Sequence, residues 1–176
     1  PISGNHGTIH GAGWIPGKKG SALYFGGAAD ADYVAIPHAQ SMNIGGDFST
    51  EAWVKLEQGS AQGGWAHLLG KNAYGEHGFM FSVEGGPSGN FCGESKMGYV
   101  LGFAFGNQGH LRTGLSCDFR INEWNHIVAT RREGGSVKLY INGKLKVEST
   151  GYTGILSITS SDFTFGGTPN WNRWIK

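Results

Sequence analysis

Apolar and polar residues alternate one by one along much of this chain, and glycines break the pattern at intervals of about ten residues, which confines it to stacked β-sheets. In Phe48 to Leu56, the residues Phe48, Thr50, Ala52, Val54 and Leu56 share one face of an extended strand, while Ser49, Glu51, Trp53 and Lys55 share the other. No stretch carries the i, i+3, i+4, i+7 apolar stripe of an amphipathic helix. Further strands are expected at Ala22 to Phe25, Tyr33 to Ile36, His67 to Lys71, Gly78 to Val83, Tyr99 to Phe105 and His110 to Leu115. Others follow at Asn125 to Arg132, Ser136 to Ile141, Lys144 to Glu148 and Phe163 to Gly166. Pro37 stops the second of these, because proline cannot donate to a sheet ladder. Asn142-Gly143 marks the surest hairpin, since both residues accept the positive φ angles of a two-residue type I′ turn. No repeat, linker or low-complexity tract divides the 176 residues, so the expectation is one all-β domain, a two-sheet antiparallel sandwich.

Composition narrows the function. With 32 Gly, 5 Pro and only 15% charged residues, the chain lacks the low hydrophobicity and high net charge of disorder. Its 6 Trp exceed what a core of this size needs, so some rings are expected on the surface. A net charge of +1 supplies no field for nucleic acid, and that partner class drops out. No run of 18 apolar residues suggests membrane insertion, and Pro1 to Gly13 has neither the basic nor the apolar region of a signal peptide. Cys92 and Cys117 lack CxxC spacing or a nearby His, and read as a disulfide or as two separate buried thiols. As a disulfide they would restrict the unfolded chain by about 3.5 kcal/mol and fit an oxidising compartment.

Several segments in order carry a family resemblance: Ser3 to Ile9, Gly17 to Phe25, Asp32 to Pro37, Asp47 to Val54, Trp124 to Arg131, Leu139 to Gly143 and Phe165 to Gly167. Together they resemble the laminin-G-like members of the concanavalin A-like jelly-roll superfamily found in bacterial secreted proteins. The resemblance implies a secreted or cell-surface recognition domain whose ligand is a glycan or, as in other laminin-G domains, a protein. It also implies calcium, for which Asp30 and Asp32 supply hard oxygen ligands, although simple solvation explains that loop equally. Gly26 stands where the resembling proteins often carry Asp, which weakens the transfer of their calcium site. Those proteins also have a strand before the Ser3 to Ile9 segment and another after the Phe165 to Gly167 segment. Neither occurs between Pro1 and Lys176, so a longer polypeptide with neighbouring domains, or another chain, is expected to supply them.

The same fold houses polysaccharide-degrading enzymes, which need two carboxyls about 5 to 10 Å apart. No expected strand offers acidic residues at i and i+2 or i+4, so the expectation is a non-catalytic domain. Glu51 could be a catalytic carboxylate but reads better as a solvated or salt-bridged residue, and Trp53 and Trp124 read as core. Two glycine-framed loops read as binding sites on a rigid scaffold. One brings Trp65, Asn72, Tyr74 and His77 together, where an aromatic ring could stack on a sugar face and polar groups could meet its hydroxyls. A self-packed Ω-loop around Trp65 is the other reading. The second loop contains Trp171, Asn172 and Arg173, with Trp174 read as the first buried residue of a following strand.

Overall fold

Period-two alternation becomes antiparallel ladders in the computed structural model, which describes residues 4–27, 30–57, 65–71, 78–85, 99–105, 110–113, 118–151, 159–168 and 173–174. The strands in chain order are β1 (Thr8–His10), β2 (Gly13–Pro16), β3 (Ser21–Tyr24), β4 (Tyr33–Ile36), β5 (Phe48–Val54), β6 (Trp65–Lys71) and β7 (Phe79–Gly85). They continue with β8 (Tyr99–Phe105), β9 (His110–Arg112), β10 (Asn125–Arg131), β11 (Val137–Ile141), β12 (Lys144–Ser149), β13 (Phe163–Phe165), β14 (Gly167–Thr168) and β15 (Arg173–Trp174). Among the described residues, a 7-stranded sheet runs β1-β4-β13-β6-β7-β8-β9 and a 4-stranded sheet runs β12-β11-β10-β5. The pairs β2-β3 and β14-β15 stand beside them as separate two-stranded ladders. The all-β sandwich is as expected.

Register decides which residues are interior. In the smaller sheet Ile127 stands opposite Ala52 on one side and Ile141 on the other, and Ala129 opposite Thr50 and Leu139. Ile127, Val137, Leu139 and Ile141 are fully buried and meet Phe79, Phe81 and Val83 of the larger sheet in one core cluster. Burying each such side chain contributes about 1.5 to 3 kcal/mol, so a one-residue slip of β10 would expose most of this layer.

The hairpin between β11 and β12 turns at Asn142 (φ 51°) and Gly143 (φ 77°), the positive pair that a type I′ turn needs. Asn142 does more than turn the chain. Its Oδ1 accepts the His126 N–H at 2.9 Å, and its Nδ2 donates to Asp118 O at 3.1 Å. Buried Asn125 beside it accepts the Arg120 N–H at 2.9 Å and donates to Arg120 O at 2.8 Å and Glu123 O at 2.9 Å. The Trp124-Asn125-His126 motif is thus a brace that ties the loop before β10 to the hairpin after it.

Three outcomes differ from the sequence reading. β1 and β2 were not legible because every position in them is exposed, so no alternation marks them. Trp65 begins β6, paired with Glu84, rather than lying in a loop, because the ladder extends two residues further than the apolar run suggested. Trp53 is not core: it lies on the outward parity of β5 and is 49% exposed. Trp174, expected on a strand, lies in β15, paired with Gly167. The proposed disulfide between Cys92 and Cys117 lies outside the described residues.

Two titratable groups are buried in β6. Lys71 Nζ donates to Asn43 Oδ1 at 2.7 Å and Thr159 O at 2.9 Å, and lies 2.8 Å from His38 Nδ1. Burial lowers its pKa, with Asp162 opposing the shift. His67 Nε2 is 2.9 Å from Thr164 Oγ1 and 3.2 Å from Thr164 O, while its buried Nδ1 has no partner. Burial pushes its pKa from 6.5 down to about 4, against the hydrogen bond to Thr164. Between those values the unfolded chain binds a proton that the folded chain refuses. Stability from His67 is therefore complete above pH 6.5 and falls as the pH drops toward 4, by about 3 kcal/mol in all. Urea unfolding from pH 7.5 to 4.5 should show this slope in the wild type and a flatter one in His67→Gln; equal slopes would contradict a neutral, desolvated His67.

Candidate functional site

The outward residues of the small sheet form an aromatic and polar face because every inward one is committed to the core. Trp53 stands opposite His126, Glu51 opposite Val128, and Val128 opposite Tyr140, which faces Leu145 on the far strand. One register step away Ser49, Thr130, Lys138 and Glu148 form the next row. Leu145 is 49% exposed, so the face stays open from one edge strand to the other.

Polar contacts hold this face in shape. The Trp53 and His126 rings stack with centroids 4.9 Å apart and planes 26° off parallel, and Lys18 Nζ lies 5.3 Å from the Trp53 ring centre. His126 Nε2 is 3.2 Å from Glu51 Oε2, which tethers the imidazole. Lys138 and Glu148 pair at 3.2 Å. Glu51, Lys138 and Glu148 are substantially exposed, so these contacts orient side chains more than they stabilise the fold. The two carboxylates on this face, Glu51 and Glu148, sit on opposite edge strands, three strand spacings or about 14 Å apart. That exceeds the roughly 5 to 10 Å over which paired carboxyls flank a glycosidic bond.

A groove of about 480 Å³ runs along the edge of the same sheet. It is lined by residues of β3 and β5, by Val34, Leu69 and Phe165 of the larger sheet, and by Lys18, Lys19, Lys55, Glu51 and Glu57. Half-buried Trp124 lines it as well.

At the Asp30 and Asp32 turn, the buried Asp32 accepts the Gly26 N–H on Oδ2 at 2.7 Å. A side chain at Gly26 would meet Asp30 Oδ2 at 1.9 Å, so glycine there is what lets Asp30 fold back over the backbone. An Asp at position 26, as in the resembling proteins, would displace the Asp30 carboxylate. Both carboxylates are hard oxygen donors of the type calcium takes. Among the described residues no third His, Cys, Asp or Glu joins them.

Of the residues singled out from sequence, Asp30 and Asp32 lie on one turn, whereas Asn72, Tyr74, His77, Trp171, Asn172 and the two cysteines lie outside the described residues. Trp65 occupies the first position of β6 and Arg173 pairs with Thr168 in β15. The sequence reading missed Trp53, His126 and Tyr140 as a surface group. Parity carried the signal: each stands one residue out of step with the buried positions of its strand.

Comparison with known proteins places this geometry. The family model described as the Concanavalin A-like lectin/glucanases superfamily, of laminin-G type, matches residues 25–175. Among solved structures, the binding domain of Paraclostridial Mosquitocidal Protein 1 is similar with a TM-score of 0.69 at 17% identity, covering 97% of this chain and 41% of that one. Domain 4 of AbnA, a GH43 extracellular arabinanase from Geobacillus stearothermophilus solved in complex with arabinotriose, is similar with a TM-score of 0.64 at 18% identity, covering 99% and 80%. The binding domain of Botulinum Neurotoxin serotype G gives a TM-score of 0.58 at 17% identity, covering 93% and 39%. The chain thus spans about two fifths of the toxin binding domains it matches. A sequence comparison with curated proteins finds no match.

Proposed function

This chain belongs to the Concanavalin A-like lectin/glucanases superfamily, and from that premise we propose that it is a non-catalytic carbohydrate-binding domain of a secreted or cell-surface protein. The observation that carries the reading is the outer face of the small sheet, where Trp53 and Tyr140 lie about 12 Å apart by strand spacing. A sugar ring has apolar C–H faces that stack on an indole or phenol, and hydroxyls that need donors and acceptors close by. Glu51 and His126 beside the two rings, and Thr130 and Lys138 in the next row, supply both kinds. A short oligosaccharide laid across β5, β10 and β11 would meet an aromatic residue near each end. Domain 4 of the arabinanase, a relative in fold, was solved with arabinotriose, which makes a neutral oligosaccharide the first ligand class to try.

The glycine-framed clusters of Trp65, Asn72, Tyr74 and His77, and of Trp171, Asn172 and Arg173, are proposed as secondary contacts. A protein ligand, as bound by adhesion modules of laminin-G type, needs a broad apolar patch of about 800 Å² per partner. Val128 and Leu145 are instead interspersed with charged residues on the outer face.

On a glycan array including arabinotriose, Trp53→Ala should bind its best ligand at least tenfold more weakly with a melting temperature within about 2 °C of wild type, as expected for an exposed side chain. Tyr140→Ala should lose less, and Trp65→Ala and Trp171→Ala report on the secondary clusters. An array on which none of these variants loses signal rejects these sites, and one on which the wild type binds no glycan rejects the carbohydrate reading.

Calcium is a separable part of the proposal. Asp30 and Asp32 would hold the ion, with backbone carbonyls completing its oxygen shell, and the charge would pin the turn that precedes β4. Millimolar calcium should raise the melting temperature of the wild type and leave Asp30→Asn unmoved; no rise in the wild type would remove calcium from the account.

A further inference from the structure

Three stretches of chain converge on one ammonium group at the end of β6. Lys71 is 3% exposed, and its Nζ has three acceptors for its three N–H bonds: Asn43 Oδ1 at 2.7 Å, Thr159 O at 2.9 Å and His38 Nδ1 at 2.8 Å. Asp162 favours the charged form of Lys71, and its Oδ1 accepts the His38 backbone N–H at 3.0 Å. Nδ1 can accept from an ammonium only through its lone pair, so the His38 ring is neutral here and carries its proton on Nε2. The segment held this way has little apolar anchorage. Its 3₁₀ turn, Gln40–Met42, buries no residue, and Ile44 beyond the turn is 39% exposed. Asn5 Nδ2 adds one exposed hydrogen bond to Ser41 Oγ at 3.2 Å. The stretch begins after Pro37, which follows β4, and ends before Gly46, whose carbonyl accepts from Arg131. Residues 38–45 thus form a flap tied down by polar contacts to Lys71 and Asp162.

We propose that His38 and Lys71 form an acid-sensitive clasp, closed while the His38 ring is neutral and opened when that ring takes up a proton. A protonated imidazole carries N–H on both nitrogens, so Nδ1 would stop accepting and would set a second cation 2.8 Å from the ammonium. Lys71 cannot yield, because it is enclosed and committed to Asn43 and Thr159. His38 is exposed and can swing away, taking the flap with it. The open flap binds a proton that the closed flap refuses, so closure is complete at higher pH and is lost as the pH falls. Among the described residues, the titratable groups on the elements packed here are His6 next to Asn5, Tyr33 of β4, His67 and Lys71 of β6, Glu84 of β7, and Asp162. Tyr33 stacks on His10, His67 meets Thr164, and Glu84 stands opposite Trp65 at the far end of β6. Asp162 attracts both cations, yet it cannot replace the acceptor that Nδ1 has lost. This clasp does not rest on the carbohydrate reading.

The test follows amide hydrogen exchange of the whole 176-residue chain at His38, Met42, Asn43 and Ile44, whose N–H groups donate to Asp162 Oδ1, Ala39 O, Gln40 O and Met42 O in the closed flap. Corrected for the intrinsic exchange rate, protection there should fall by at least about fivefold between pH 7.5 and pH 5.0. Long-range ¹H–¹⁵N spectra at pH 7.5 should show the His38 proton on Nε2. His38→Asn, which cannot titrate, should remove the pH step, whereas His6→Asn and His67→Gln should keep it. Circular dichroism checks that each variant folds, and the wild-type measurements stand without them. Equal protection at the two pH values, or a His38 proton on Nδ1 at pH 7.5, overturns the proposal. A step that persists in His38→Asn, or one that disappears in His6→Asn or His67→Gln, overturns it in favour of another titrating group.

Discussion

The structure depends on the parity of β10. Asn125, Ile127, Ala129 and Arg131 point inward and are buried, while His126, Val128 and Thr130 point outward. Because β10 is paired on both sides, its register transmits this parity to β5 and β11, and through β11 to β12. Slippage by one residue would lose the burial of Ile127 and drive His126 into an apolar layer. Two asparagines guard against it. Asn125 ties the entering loop and Asn142 ties the following hairpin to the same strand, so the inward face is fixed by packing and its ends by side chain to backbone hydrogen bonds.

This fixed parity turns a stability constraint into a functional surface. Residues excluded from the core at Trp53, His126 and Tyr140 come to lie side by side on one open face, with their spacing set by the sheet and not by a loop. A rigid strand-borne site positions its groups better than a loop can, and it needs no ordering on binding. The charged partners around it are exposed, so they orient His126 and Lys138 without contributing much to folding.

Much of the fold was legible because period-two alternation and an Asn-Gly turn are strong local signals. The Asn142-Gly143 hairpin and the inward residues of Phe48–Val54 fell where the pattern put them. What the pattern could not reveal was exposure at an edge. Trp53 was read as core on its size and apolar character, although its parity already placed it with Ser49 and Glu51 on the outward face, where the His126 ring and Lys18 cover it only in part. β1 and β2 left no trace because strands exposed at every position carry no alternation. The groove was equally hidden, since it is made by strands distant in sequence that share no motif. The loop clusters around Tyr74 and Trp171 were chosen from composition alone, and composition does not say where a ring comes to rest.

The account turns on whether the face set by β10's outward parity is where a sugar rests. A titration of ¹⁵N-labelled protein with its best-binding oligosaccharide, followed by two-dimensional NMR, tests this most directly. The account predicts that the Trp53 indole N–H and the backbone amides of Glu51, His126, Val128 and Tyr140 shift together along one binding isotherm. Saturable binding that moves resonances elsewhere and leaves the Trp53 indole unperturbed would contradict it.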